Sequence, residues 1–217
     1  MAELIKSAFK KWTLDKLDEK FGLKQVRKCQ IMEEWESMNM GISDYEKQVL
    51  ADLQEGILRA GKAWNEVELE NKFISPLITF AKIDNDEFCY FLERDLAGDV
   101  GNYHLSGTVD GMVATGTRSP KVPFFCMHEY KRGVDNDGNP DGQALVAMLV
   151  AREYNKNISG EVKPIYGLYV VGLIWNFIVL NGDEYCVSKD YNSSNNDIFG
   201  IFNMMKAMRK IIETKLM

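Results

Sequence analysis

The feature that most constrains the fold is a change of hydrophobic periodicity near residue 87. Before it, apolar residues recur at spacings of three and four residues, which is typical of amphipathic helices. After it come segments rich in aromatic and β-branched residues, separated by Gly, Asn, Asp and Pro, which is typical of strands. These segments are residues 87–96, 103–116 and 122–131. A chain with both patterns packs helices against a sheet, so we expect an α/β or α+β fold.

The first part of the chain, residues 1–62, has the helical pattern throughout. Ser43 followed by Glu46 has the spacing of a capping box, which predicts that a helix begins there, and Gly61 is a plausible end for it. The helical spacing in this part is carried by Leu4, Ile5, Ala8, Phe9 and Trp12, and then by Ile31, Trp35 and Met38. We therefore divide the chain into a helical N-terminal extension, 1–62, and a main domain, 63–217.

A further helix is predicted over residues 64–81, before the strands begin. Asn65 and Glu68 have the spacing of a second capping box. Pro76 must kink or restart this helix, because proline has no backbone N–H and its ring clashes with the preceding turn.

The second half of the main domain alternates between the two patterns. A helix is predicted over 142–155, strands over 165–180 and 183–189, and a final helix over 197–216. Asn181-Gly182 between the two strands is a strong hairpin signal. The resulting order predicts a central mixed β-sheet flanked by helices.

Three residues on neighbouring strands carry the chemistry that this fold can support. Glu129 and Lys131 alternate with Tyr130, so both point to the same face of their strand. The strand is strongly apolar before them, which indicates a buried central strand. Because burying a charge is costly, we expect charged side chains at the end of such a strand to be functional. Asp110 ends an apolar stretch of the preceding strand, and pairing of the two strands would bring it to the same edge of the sheet.

Two carboxylates and one ammonium group suit metal-dependent cleavage of a phosphodiester. Mg²⁺ prefers oxygen ligands and commonly takes one or two protein carboxylates, with water and phosphate in the remaining positions. A bound metal lowers the pKa of water and offsets charge on the phosphate, while Lys131 can orient the attacking water. We expect Mg²⁺, or Mn²⁺ in its place, to be held by Asp110, Glu129 and the carbonyl oxygen of Tyr130.

This arrangement resembles the PD-(D/E)XK nuclease superfamily, through TVDG with Asp110 and EYK with Glu129 and Lys131. The segment NEVELENKFISPLI is further similar to the opening of the N-terminal nuclease domain of type I restriction enzyme R subunits. The resemblance covers roughly residues 64–188 and implies a restriction-endonuclease-like core. It also implies two more site residues: an acid on the first core helix, for which we choose Glu68 with Glu66 and Glu70 as alternatives, and Gln143 on the helix after the lysine strand. Val109 stands where the family motif nominally has proline.

The composition bounds the partners and the location. The net charge of −6 is unusual for a nucleic-acid binder, so positive charge must be concentrated locally or supplied by a metal or partner. We expect DNA as the substrate, no membrane, and either a homodimer or a partner subunit. The scattered cysteines predict reduced core residues and a cytoplasmic protein; they are Cys29, Cys89, Cys126 and Cys186.

Other interpretations of the same residues remain open. The chain could keep the nuclease fold as a non-catalytic domain that binds nucleic acid or protein, or the short D…ExK match could be accidental. The stretch DNDGNPDG matches the opening of a calcium loop, but Met148 stands where the bidentate glutamate is needed, so we interpret it as a polar loop. His104 and His128 are too few for a zinc site, and His128 is expected to be a packed core residue.

Overall fold

A computed structural model of the chain describes residues 4–133 and 139–217. Within these ranges the protein is a mixed α/β fold with a central mixed sheet flanked by helices, as the sequence predicts. Residues 135–138, the first half of the polar loop predicted over DNDGNPDG, lie outside the described residues. None of the described helices is long and apolar enough to cross a membrane.

The sheet contains nine strands among the described residues, in the order β1-β4-β5-β6-β7-β8-β2, with β3 paired to β4 and β9 to β7. The central run β3-β4-β5 is antiparallel, and β5 then pairs in parallel with β6 across the helix α6. The strands are β1 Ile5–Ala8, β2 Lys24–Gln25, β3 Phe88–Val100, β4 Tyr103–Thr115, β5 Lys121–Lys131, β6 Ile165–Val171, β7 Ile174–Asn181, β8 Glu184–Val187 and β9 Tyr191–Asn192.

Helices cover both faces of the sheet. The α-helices are α1 Leu14–Phe21, α2 Gln30–Ser37, α3 Asp44–Ala60, α4 Glu66–Leu69, α5 Ser75–Phe80, α6 Pro140–Ser159 and α7 Asp197–Ile211. One hydrophobic cluster joins α2, α3, α5 and α7 to the sheet, and the other joins α1 and α6 to the opposite face. Each cluster includes residues from the predicted N-terminal extension, such as Trp35 in the first and Trp12 in the second.

The predicted helix starts form as the capping patterns indicate. Ser43 accepts a hydrogen bond from the backbone N–H of Glu46, whose carboxylate accepts one from Ser43 in return. Asn65 and Glu68 make the same reciprocal pair at the start of α4. Before Pro76 the helix passes through a π-turn, Glu70–Ile74, and then restarts as α5.

Two predictions about secondary structure are wrong. Ile5–Ala8, with helical spacing in the sequence, forms an edge strand parallel to β4, where pairing with Tyr103–Ser106 outweighs the local pattern. The single strand predicted over 165–180 is a hairpin of β6 and β7, because Gly172 takes a left-handed conformation with φ of 59° and reverses the chain. The Asn181-Gly182 hairpin between β7 and β8 forms as predicted.

The expectation of four reduced cysteines is also wrong. Cys29 and Cys186 form a disulfide, whereas Cys89 and Cys126 are free thiols. The short strand β2 pairs with β8, which brings the start of α2 beside the end of β8. This long-range pairing cannot be read from the spacing of cysteines along the chain.

Candidate functional site

Asp110 lies against the backbone of Tyr130 at the point where the pairing of β4 with β5 stops. The ladder between these strands runs as far as the pair Gly111–His128, so Asp110 and Glu129 are the next residues on the two strands. There the half-buried Asp110 carboxylate, in place of a backbone carbonyl of the neighbouring strand, accepts a hydrogen bond of 2.5 Å from the Tyr130 N–H. The Asp110 side chain thus caps the point where the two strands separate.

Lys131 lies at the centre of a group of acceptors at this end of β5. Its Nζ is 2.9 Å from a carboxylate oxygen of Glu129 and 3.4 Å from one of Glu66. It also donates to the Tyr130 carbonyl oxygen at 2.9 Å, the atom predicted as a metal ligand. Because the Glu129 side chain is only 6% exposed, this ion pair is shielded from solvent on its acidic side.

The first core helix supplies two carboxylates to this group, and neither is the residue chosen from the sequence. Glu66 approaches Lys131 directly, and Glu70, in the π-turn after α4, is buried near Asp110. Glu68 instead closes the helix start and forms an ion pair of 2.6 Å with Lys72. A capping glutamate at the third helical position has its carboxylate turned back to the helix start, so it is not available to the strand ends.

A further carboxylate, that of Glu93 on the neighbouring strand β3, lies at this site and was not among the predicted site residues. The register of β3 and β4 pairs Leu92 with Gly111 and Arg94 with Val109, so Glu93 stands opposite Asp110. Its φ of 49° is rare for a residue with a side chain and costs about 1–3 kcal/mol. This distorted position adds one more exposed carboxylate whose charge acts on Asp110 and Glu70.

The carboxylates raise one another's affinity for protons. Burial and the charges of Glu93, Asp110 and Glu66 raise the pKa of Glu70 to about 7. Burial raises the pKa of Asp110 in spite of its backbone hydrogen bond, and burial together with Asp110 raises the pKa of Glu129 in spite of Lys131. Burial alone would lower the pKa of Lys131, but the surrounding carboxylates outweigh it and raise that pKa, so the ammonium form is favoured.

A buried polar network supports the opposite face of the same strands. The Tyr130 hydroxyl lies 2.8 Å from the Tyr90 hydroxyl and 2.8 Å from His128 Nδ1. His128 is 1% exposed, as expected for a packed core histidine, and burial lowers its pKa to about 3. Gly111 makes room for this network, because a Cβ there would lie 2.8 Å from the Tyr90 ring and 3.0 Å from the Tyr130 hydroxyl.

The remaining candidates form no hydrogen bond with this group among the described residues. Gln143 is half-buried in the first turn of α6, and within 4–133 and 139–217 its side chain has no hydrogen bond to Asp110, Glu129 or Lys131. His104 lies on β4 and contacts Asp99 at 2.6 Å. Direct contacts and mutual charge effects therefore connect Glu66, Asp110, Glu129 and Lys131, whereas Glu68 pairs with Lys72 instead.

The donor set at the strand ends fits a hard divalent cation. The half-buried Asp110 and the buried Glu129 are carboxylates with raised pKa values, and a bound cation would stabilise their ionised forms. Across 4–133 and 139–217 there is no ready group of three His, Cys, Asp or Glu side chains in metal-binding geometry. Two carboxylates are nevertheless sufficient for Mg²⁺, which keeps several waters in its coordination shell.

Neither a known protein family nor a curated protein matches this chain in sequence. The function therefore has to be argued from the residues of the site itself.

Proposed function

We propose that the chain is a metal-dependent nuclease of the PD-(D/E)XK type that hydrolyses phosphodiester bonds in DNA with Mg²⁺ or Mn²⁺. The observation that carries the proposal is that Asp110, Glu129 and Lys131 lie together where the pairing of the central strands β4 and β5 stops. The order of helix, three antiparallel strands, helix and parallel strand supports a restriction-endonuclease-like core.

In the proposed hydrolysis the carboxylates and the lysine have different roles. Asp110 and Glu129 would hold the metal, with Glu66 and Glu70 adding negative charge nearby. When bound, the metal would lower the pKa of the attacking water and offset charge on the phosphate. The three N–H donors of Lys131 are shared among Glu129, the Tyr130 carbonyl and Glu66, and the longest contact, 3.4 Å to Glu66, is the one that a water or a phosphate oxygen would replace.

The alternative is a domain of the same fold that binds nucleic acid or protein without cutting. The net charge of −6 favours it, because acidic proteins are repelled by phosphates unless a cation intervenes. The two functions differ in what Lys131 does. In a nuclease its removal stops the reaction, whereas in a binding domain there is no reaction to stop.

The first experiment is cleavage of supercoiled plasmid and of single-stranded DNA in Mg²⁺ and in Mn²⁺. We expect the parent to nick DNA, Lys131→Ala to lose cleavage while keeping metal binding, and Asp110→Ala to lose both. Calorimetric titration with Mn²⁺ measures the binding. The matched control is Lys121→Ala, which removes an exposed lysine from the opposite end of the same strand and should cut like the parent.

Cleavage by Lys131→Ala at the parent rate would refute the assignment of that residue. If the parent neither cuts DNA nor binds a divalent ion, the nuclease proposal fails and the binding domain is favoured. Metal binding without cleavage would retain the metal site and reject the tested DNA as the substrate.

A further inference from the structure

A cavity of about 400 Å³ opens directly beside the candidate site. Its lining includes Arg132 and Gly133, which follow Lys131 in the chain, and Gly172 of the β6–β7 turn. The Gly172 N–H donates to the Lys131 carbonyl oxygen at 2.8 Å, so the wall of the cavity is joined to the backbone of the proposed catalytic lysine. An occupant of the cavity would therefore lie next to whatever is bound at Lys131.

The wall facing the first core helix is formed by the aromatic ring of Trp64 and by Leu69. Trp64 is half-buried, whereas the other three tryptophans are at most 4% exposed; these are Trp12, Trp35 and Trp175. The lining also includes the backbone of Gly133 and Gly172, which lie close together, because a Cβ on Gly172 would lie 3.3 Å from the Gly133 nitrogen. An aromatic ring and two residues without side chains in the lining leave space for a planar guest.

The lining includes two cations, Lys62 and Arg132, in a chain that is acidic as a whole. Lys72 Nζ lies 5.4 Å from the centre of the Trp64 ring, but its charge is paired with Glu68 at 2.6 Å. An aromatic surface flanked by cations is the combination that proteins use to bind single-stranded nucleic acid, in which bases stack on the ring and phosphates meet the charges. A purely apolar ligand would make no favourable electrostatic contact with these cations.

We propose that this cavity receives an unpaired nucleobase of the substrate, stacked on Trp64, with its phosphate near the exposed Lys62. The inference rests on the proposed nuclease function and narrows its substrate to DNA that offers an unpaired nucleotide beside the cut, such as a single strand or a flap. Bases inside a duplex are stacked on their neighbours and cannot enter a side cavity without being flipped out.

The test is the affinity of short oligothymidylate for the parent, Trp64→Phe and Trp64→Ala, measured by fluorescence anisotropy of the labelled strand. We expect Trp64→Ala to weaken binding by roughly 5- to 140-fold, which corresponds to the stacking of one base. Trp64→Phe keeps an aromatic ring and should stay much closer to the parent. Oligothymidylate should also quench the tryptophan fluorescence of the parent, since Trp64 is the half-buried tryptophan.

The control ligand is an abasic strand of the same length, which keeps the phosphates and lacks the bases. It should bind all three proteins with similar, weak affinity. If Trp64→Ala weakens binding of the abasic and the thymidine strands equally, or if Trp64→Phe loses as much as Trp64→Ala, base stacking is refuted. Circular dichroism of each variant checks that it is folded.

The failure of this inference can be told apart from failure of the nuclease proposal. Quenching and Trp64-dependent binding without any cleavage would support the cavity as a nucleobase site and count against the nuclease. Cleavage of continuous duplex as fast as of a flap, with no effect of Trp64→Ala, would refute the cavity and leave the nuclease standing.

Discussion

Replacement of Glu70 by glutamine is the sharpest test of the electrostatics at this site. Glu70 is only 8% exposed, and burial together with the nearby charges of Glu93, Asp110 and Glu66 raises its pKa from 4.5 to about 7. Glutamine has nearly the same shape as a protonated glutamate and cannot ionise. The substitution therefore removes the cost of a buried charge and changes little else.

The size of the effect follows from the raised pKa. One pKa unit corresponds to about 1.4 kcal/mol, so the difference between 4.5 and about 7 corresponds to about 3 kcal/mol. Because the folded protein holds this proton more tightly than the unfolded chain, stability from Glu70 is fully present below pH 4.5 and is lost as the pH rises through 7. Glu70→Gln should therefore match the parent below pH 4.5 and exceed its stability by about 3 kcal/mol above pH 7.

Urea denaturation of both proteins over a series of pH values measures this difference. The matched control is Glu68→Gln, on the same helix, where the ion pair with Lys72 and the Asn65 backbone hydrogen bond lower the pKa instead. The Glu68→Gln substitution should leave the free energy of unfolding at alkaline pH unchanged or slightly lower. A stability difference between Glu70→Gln and the parent that does not vary with pH would refute the assignment of a raised pKa to Glu70.

Added Mg²⁺ extends the same experiment to the proposed metal site. A ligand that binds only the folded protein stabilises it by RT ln(1 + [L]/Kd), so at a fixed concentration the gain increases with affinity. The parent should gain more stability from Mg²⁺ at pH 8 than at pH 5, because protons and metal compete for Asp110, Glu129 and Glu70. An equal gain at both pH values would place the metal elsewhere.

The remaining predictions concern the packing behind the site. Gly111→Ala should lower the free energy of unfolding by about 1–3 kcal/mol in urea denaturation, because its methyl group would crowd the rings of Tyr90 and Tyr130. Asn155→Ala should cost about 2–4 kcal/mol, because it leaves the buried N–H and C=O of Phe124 without the hydrogen bonds of 2.8 and 2.7 Å that they now share with Asn155. The exposed Asn157→Ala, on the same helix, is the control and should change stability little.

The strands that carry the site could be predicted from the sequence because their pattern is strong and local. The apolar run before Glu129 marks a buried strand, and alternation of side chains places Glu129 and Lys131 on one face. The apolar stretch around Asp110 likewise continues through the strand β4. These features need only the nearest neighbours in sequence.

The choice among the acids of the first helix could not be made in this way. Glu66, Glu68 and Glu70 stand within five residues, and the capping pattern identifies only what Glu68 does locally. Which of the others faces the strands depends on the π-turn after α4, which has no sequence signal that we recognise. Glu93 was missed for a similar reason, since its left-handed backbone arises only where β3 passes Asp110.

Long-range pairing accounts for the other differences between sequence and structure. The strand β1 exists because Tyr103–Ser106 offers an open edge, and the disulfide Cys29–Cys186 exists because β2 pairs with β8. Both partners of each pairing are more than ninety residues apart in the chain. Periodicity within a short window carries no information about such contacts.

The acidity of the site has a consequence for how the protein would bind DNA. Three carboxylates, those of Glu66, Asp110 and Glu129, act on Lys131 at the end of β5, so without a cation a phosphate would meet net negative charge there. The same charges raise the pKa values that a divalent ion would bring down again. Metal binding would thus both ionise the carboxylates and offset the negative charge that a phosphate would otherwise meet. Productive binding of DNA at this site should therefore depend on the metal, even though Lys62 and Arg132 lie in the adjacent cavity.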